Sequence, residues 1–76
     1  MPLKLFTTSC CHLCEIAESI LLSLKQTQHF TRVDISENDT LIDAYGHRIP
    51  VIQRTDTFDE LNWPFTADDI ITFLQH

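Results

Sequence analysis

Three cysteines crowd one short stretch of this chain: Cys10, Cys11 and Cys14, with His12 and Leu13 between the last two. Two thiols in a C-x-x-C spacing can close a disulfide with each other, exchange it with another, or bind a soft metal. The nucleophile in such exchange is the thiolate, not the thiol. A free cysteine with a pKa of about 8.5 is only about 3% ionised at pH 7. A helix N-terminus favours the anion by about 0.3–1 kcal/mol at an exposed position and about 2 kcal/mol at most when partly buried. At about 1.4 kcal/mol per pKa unit, the gain is less than about 1.5 units. Glu15, four residues after Cys11, opposes it by a few tenths of a kcal/mol. The expectation is a nucleophilic Cys11 with a pKa between about 6.5 and 8. Cys14, one turn deeper, is expected to resolve the mixed disulfide. The plainer alternative leaves both as small apolar residues at a helix start.

Other side chains around the pair are candidates for lesser roles. Cys10 reads as a loop residue, or as a third thiol available for a mixed disulfide or a metal; neighbouring cysteines rarely bridge each other. His12 would favour the thiolate as an imidazolium or bind metal as a neutral ring. Four ligands within five residues cannot readily surround a tetrahedral ion, and no second ligand pair follows downstream, so no metal site is assigned. His29, His47 and His76 are scattered and are read as surface residues. Ile49-Pro50-Val51 is the second informative segment. A proline opening a strand is compatible with simple punctuation; after a loop at this point, a cis bond is the expectation. That geometry would set the backbone of Ile49 beside Cys11, ready to pair with an extended substrate. Arg48 precedes it, either solvated or facing the dithiol as its missing positive charge.

The elements that must carry these residues follow from apolar periodicity. Leu3–Thr7 reads as a buried first strand. Leu13, Ile16, Ala17, Ile20, Leu21 and Leu24 fall on one face of a helix beginning near Cys11. The C-x-x-C therefore sits where a strand hands over to a helix. Phe30–Ile35 alternates and reads as a second strand. Ser36 is the expected N-cap of a short helix with Leu41, Ile42 and Tyr45 on its inner side. Gly46 is expected to end that helix in a left-handed conformation. Pro50–Arg54 and Phe58–Leu61 make a hairpin with Thr55-Asp56-Thr57 as its turn. Thr66 caps a last helix whose inner side is Ile70, Ile71, Phe73 and Leu74, with Phe65 and Ile70 as a hydrophobic staple. The order β-α-β-α-β-β-α makes the first two strands parallel with a right-handed crossover. The expected fold is α/β and thioredoxin-like: a four-stranded mixed sheet flanked by helices on both faces.

With 76 residues the chain has room for one domain, spanning 1–76. Eleven acids against five bases give a net charge of −6, which argues against nucleic acid as a partner. No apolar run approaches the ~18 residues of a membrane span, and Met1-Pro2-Leu3-Lys4 lacks a secretory apolar segment. A cytoplasmic protein that does not bind membranes is expected. Cysteines confined to positions 10–14 cannot staple distant segments, which fits a reducing compartment.

Cys11-His12-Leu13-Cys14 after a strand, Tyr45-Gly46-His47-Arg48-Ile49-Pro50-Val51, and Leu61-Asn62-Trp63-Pro64-Phe65 before the last helix together resemble the glutaredoxins. The closer resemblance is to a group of small glutaredoxin-like proteins, over nearly the whole chain. It implies a redox dithiol at Cys11 and Cys14, a cis-proline at Pro50 and glutathione as a co-substrate. Two departures bear on glutathione. Thr7-Thr8-Ser9-Cys10 lacks the basic residue usual before the first cysteine. Asp68 matches the family's acid at the last helix, but Phe65 and Thr66 stand where a Gly-Gly pair would be. The expectation is a thiol-disulfide oxidoreductase that needs no metal or organic cofactor. It would act as a monomer on a disulfide-containing protein or a low-molecular-weight thiol. Trp63 would line the groove or cover the core. A binding module that has lost turnover and a Cys/His metal-binding protein are the competing readings.

Overall fold

The chain alternates short strands with helices. The computed structural model describes residues 3–75. The elements are β1 (Leu3–Thr7), α1 (His12–Ser23), β2 (Thr31–Asp34), α2 (Asp39–Tyr45), β3 (Val51–Arg54), β4 (Glu60–Asn62) and α3 (Ala67–Leu74), with single 3₁₀ turns at Lys25–Thr27 and Ile35–Glu37. The four strands lie in the order β2-β1-β3-β4. β1 and β2 are parallel; β3 is antiparallel to both β1 and β4. His76 lies outside the described residues; His29 and His47 are exposed.

Strand alternation splits the core in two. Leu3, Leu5 and Ile52 face one side, where Ala17 and Leu21 of α1 and Ile70 of α3 complete a buried cluster with Phe30 and Phe65. Phe6 and Val51 face the other, with Ile35 and the partly buried Val33, Leu41, Tyr45 and Ile49. Phe6 pairs in register with both Val33 and Val51, so β1 supplies the centre of each layer. α1 and α3 therefore cover one face and α2 the other.

Several boundaries differ from the periodicity reading. The buried row of α1 is Cys14, Ala17 and Leu21. Leu13 and Ile16, expected inside, remain 44% and 38% exposed. Each lies about 100° around the helix from the neighbouring member of that row. Centring the row on residue 14 is what buries Cys14.

α2 is capped by Asn38, whose Oδ1 accepts from the Leu41 N–H at 3.1 Å, rather than by Ser36. The 3₁₀ turn at Ile35–Glu37 intervenes, and Ser36 donates its N–H to Asp34 Oδ1 at 2.9 Å. Gly46 is not left-handed: its φ is −53° and its N–H donates to the Ile42 carbonyl at 2.7 Å. Glycine is needed there for space, since a Cβ would lie 2.5 Å from that carbonyl oxygen.

β2 ends at Asp34 rather than Ile35, because Ile35 already opens the 3₁₀ turn. β3 begins at Val51, after a proline that has no N–H to give the ladder. Phe58 belongs to the hairpin turn, not to β4: its φ is 63°, its side chain is 72% exposed, and its N–H donates to the Arg54 carbonyl at 2.9 Å. The expected α3 cap is present, and of the expected inner side Ile70 is buried, Phe73 and Leu74 pack partly buried on the larger cluster, and Ile71 is half-buried. Thr66 accepts from the Asp69 N–H at 3.2 Å, and Asp69 Oδ2 accepts from the Thr66 N–H at 2.8 Å, a complete capping box. Phe65 and Ile70, the staple pair, share the larger cluster.

Candidate active site

The turn from β1 into α1 builds the site. Cys10 has φ 59°, a left-handed conformation that costs a non-glycine residue about 1–2 kcal/mol. The ordered elements on either side hold it. Cys11 is then the N-cap of α1, with extended backbone, and its Sγ accepts from the Cys14 N–H at 3.2 Å. A sulfur thus occupies the position usually filled by a serine or aspartate oxygen, over amides that have no intrahelical partner. A negative charge on that sulfur is favoured by the same amides.

Cys11 and Cys14 are joined as a disulfide with their α-carbons 5.2 Å apart. Their exposures differ in the direction exchange chemistry needs: Cys11 is half-buried and Cys14 is 2% exposed. Cys10 is an exposed free thiol. His12 and Glu15 lie on the solvent side of the first turn, with Nδ1 and Oε2 3.8 Å apart. Leu13, between the cysteines, is among the exposed large apolar residues.

A cavity of about 350 Å³ opens beside the dithiol, between the loop after β1, α1 and β2. All three cysteines line it, together with the hydroxyl residues of the loop and Glu15, Glu18, Arg32 and Asp34. Arg32 donates from Nε to Glu18 and lies over the Phe30 ring at 4.9 Å. The backbone N–H of Ser36, then its side chain, holds the Asp34 carboxyl below its ordinary pKa. Among the described residues, no three metal-ligating side chains converge.

The segment before β3 ends at the same edge of the sheet. Phe6 pairs with Val51, so Pro50 emerges beside Thr7, and the dithiol loop leaves from there. The Ile49–Pro50 bond is cis, and Pro50 is fully buried. Ile49 is half-buried and packs on the α2-side cluster, donating its N–H to the Tyr45 carbonyl at 3.1 Å. Trp63–Pro64 is a second cis bond, which apolar periodicity and strand punctuation do not signal.

Arg48 was a candidate to face the dithiol. Its guanidinium instead meets Glu60, with Nη2 donating to Oε1 at 2.7 Å, and lies over the Tyr45 ring at 4.9 Å. An ion-pair partner across the hairpin outcompetes a solvent-facing sulfur. Trp63 is half-buried against the larger cluster and meets Phe65 edge-on, with ring centroids 5.0 Å apart. It is a core-cover residue rather than a free groove wall. Asp68 is exposed in the first turn of α3, and the capping role falls to Asp69.

Glu60 had no place in the sequence reading, yet three donors converge on it. Tyr45 Oη and Gln53 Nε2 donate to Oε2, and Arg48 to Oε1. Burial pushes its carboxyl pKa up, but the hydrogen bonds from Tyr45 and Arg48 outweigh burial and leave it lowered. Donation to Glu60, followed by burial, raises the pKa of the Tyr45 hydroxyl. The only sequence signal was the cross-strand pairing of Glu60 with Gln53, which requires knowing the hairpin register.

A four-stranded mixed sheet, helices on both faces and a C-x-x-C pair capping the first helix define the thioredoxin-like class. Similarity to Trichomonas vaginalis thioredoxin agrees at the level of fold: 23% identity, TM-score 0.52, over 97% of this chain and 73% of that one. The chain belongs to the glutaredoxin-like domain family (DUF836), whose model matches residues 2–75. The X-ray structure of target protein XcR50 from X. campestris is similar at 34% identity and TM-score 0.86, covering 96% of this chain and 95% of that one. The solution structure of protein Ne2328 from Nitrosomonas europaea is similar at 25% identity and TM-score 0.80, covering 95% and 88%. No match was found among curated proteins. Among the described residues no helix is long and apolar enough to cross a membrane.

Proposed function

We propose that this glutaredoxin-like domain is a thiol-disulfide oxidoreductase, with Cys11 as nucleophile and Cys14 as resolving thiol. One observation carries the reading: a half-exposed sulfur caps α1 and accepts the Cys14 N–H, while the second sulfur is buried within bonding reach. The reduced Cys11 thiolate attacks one sulfur of a partner disulfide. A mixed disulfide forms and the partner's other sulfur leaves as a thiolate. The Cys14 thiolate then attacks the Cys11 sulfur, forming the Cys11–Cys14 disulfide and releasing the second partner thiolate. The partner gains two electrons and the domain loses two. A dithiol, or two molecules of a low-molecular-weight thiol, returns them. No metal or organic cofactor takes part.

The half-buried Ile49, set in place by the buried cis-Pro50 behind it, forms the wall against which an extended substrate pairs, at the sheet edge shared with the dithiol loop. A disulfide-bearing protein is the favoured partner. Glutathione is the weaker candidate, since Phe65 is committed to the core and Thr66 to a helix cap where close backbone approach would be required.

The test is reduction of a protein disulfide with a dithiol as electron source. Cys11→Ser is expected to lower turnover about 100-fold or more. Cys14→Ser is expected to accumulate the mixed disulfide, visible by mass. Cys11 alkylation is expected to show a midpoint between about 6.5 and 8. A wild type without turnover, or a midpoint near the ordinary thiol value, overturns the reading and favours a binding module.

A further inference from the structure

We infer that Glu60 is a positioning residue for this site: through Tyr45 and Arg48 it holds the segment 45–50 that presents the Ile49 backbone to substrate. The inference rests on the exchange function proposed above.

Apolar packing fixes only part of the segment: Pro50 is buried and Ile49 packs on the smaller cluster, but the turn between them and α2 is exposed. α2 contributes no buried residue of its own. After Tyr45 the chain turns through Gly46, His47 and Arg48, all exposed, before reaching Pro50. Backbone bonds from Arg48 and Ile49 both return to the Tyr45 carbonyl, at 2.8 and 3.1 Å. These close the turn on itself but do not tie it to the sheet.

Side chains make that tie. Tyr45 stacks on Phe6 of β1, with centroids 4.2 Å apart and planes 11° from parallel, and its hydroxyl reaches Glu60 on β4. Arg48 reaches the other oxygen of the same carboxylate. Gln53, opposite Glu60 in the β3–β4 register, donates at 3.3 Å and orients the carboxylate from the sheet side. One half-buried anion thus joins the residue five before Pro50, the residue two before it and the strand that follows it. Charge-assisted bonds of this kind are short and directional, which suits setting a loop rather than only adding stability. A strand-pairing substrate needs the Ile49 backbone in one conformation, and a loop left free lowers the competent fraction and weakens apparent binding.

Glu60→Gln keeps the shape and removes the charge and one acceptor. In the protein-disulfide assay, KM is expected to rise about fivefold to tenfold with kcat within about twofold. The pH midpoint of Cys11 alkylation should not move, since the α1 cap is untouched. Tyr45→Phe removes one donor and keeps the stacked ring, and should shift KM the same way by about twofold to threefold, which keeps the question open to test if Glu60→Gln folds poorly. An active wild type whose KM is unchanged in both variants overturns the positioning role alone. So does a loss shared equally by kcat and alkylation rate. A wild type with no turnover overturns the exchange function itself and the positioning role with it.

Discussion

The two faces of the sheet are built differently. Among the described residues, the α1–α3 face buries eight in one cluster, five of them fully: Leu5, Ala17, Leu21, Ile52 and Ile70. The α2 face buries three, Phe6, Ile35 and Val51, and completes itself with a ring stack and a carboxylate network. The dithiol helix lies on the thick face and the proline segment on the thin one. In the function proposed above, the sulfur that caps α1 must keep one geometry over the helix amides, and dense apolar packing, which resists deformation, serves that. The segment before Pro50 is held in addition by a few directional polar bonds, which in the function proposed above keep it in one conformation for a substrate.

Neighbouring residues of β3 put this contrast to its strongest test. Ile52 and Val51 are both fully buried but point to opposite faces. Ile52→Ala is expected to cost about 3–4 kcal/mol in chemical denaturation, and Val51→Ala about 2 kcal/mol or less, because it removes one carbon fewer and because a thin layer collapses more readily around a lost side chain. Equal losses would remove the distinction. A smaller effect probes the thick face at its edge: Thr66→Ala breaks the capping box and should lower stability by about 1 kcal/mol, with Cys11 alkylation unchanged.

The smallest effect concerns the thin face and pH. The net lowering of the Glu60 carboxyl means that its contribution is fully present above its unfolded pKa and is lost as pH falls through the folded value. Wild type should therefore lose stability across the acid range, and Glu60→Gln should lose less over the same range, when melting is followed against pH. Parallel curves would show that the network contributes nothing through that charge.

The elements were largely legible because strands and helices announce themselves by period and the Thr66–Asp69 cap by spacing. Cys11 and Cys14 were legible for a related reason: a C-x-x-C at a strand-to-helix junction has few places to go. The misreadings share a cause. Ser36, Gly46, Phe58, Leu13 and Ile16 were judged by local preference, while the structure judged them by what lies across the chain. Gly46 is a glycine because a neighbouring carbonyl needs the room, not because the backbone turns left-handed, and Phe58 is exposed because the hairpin closes one residue later than alternation suggests. Arg48 and Glu60 were beyond reach for the same reason. Twelve residues separate them, and only the β3–β4 register brings them into an ion pair.

By itself, the order of residues determined that a thiol pair would begin a helix after a buried strand, since backbone amides and apolar spacing act over a few residues. Which carboxylate reaches the proline segment and which arginine is already taken were decided only when distant strands came into register. Those outcomes depend on contacts through space, and a side chain bonds to whatever packing sets within reach.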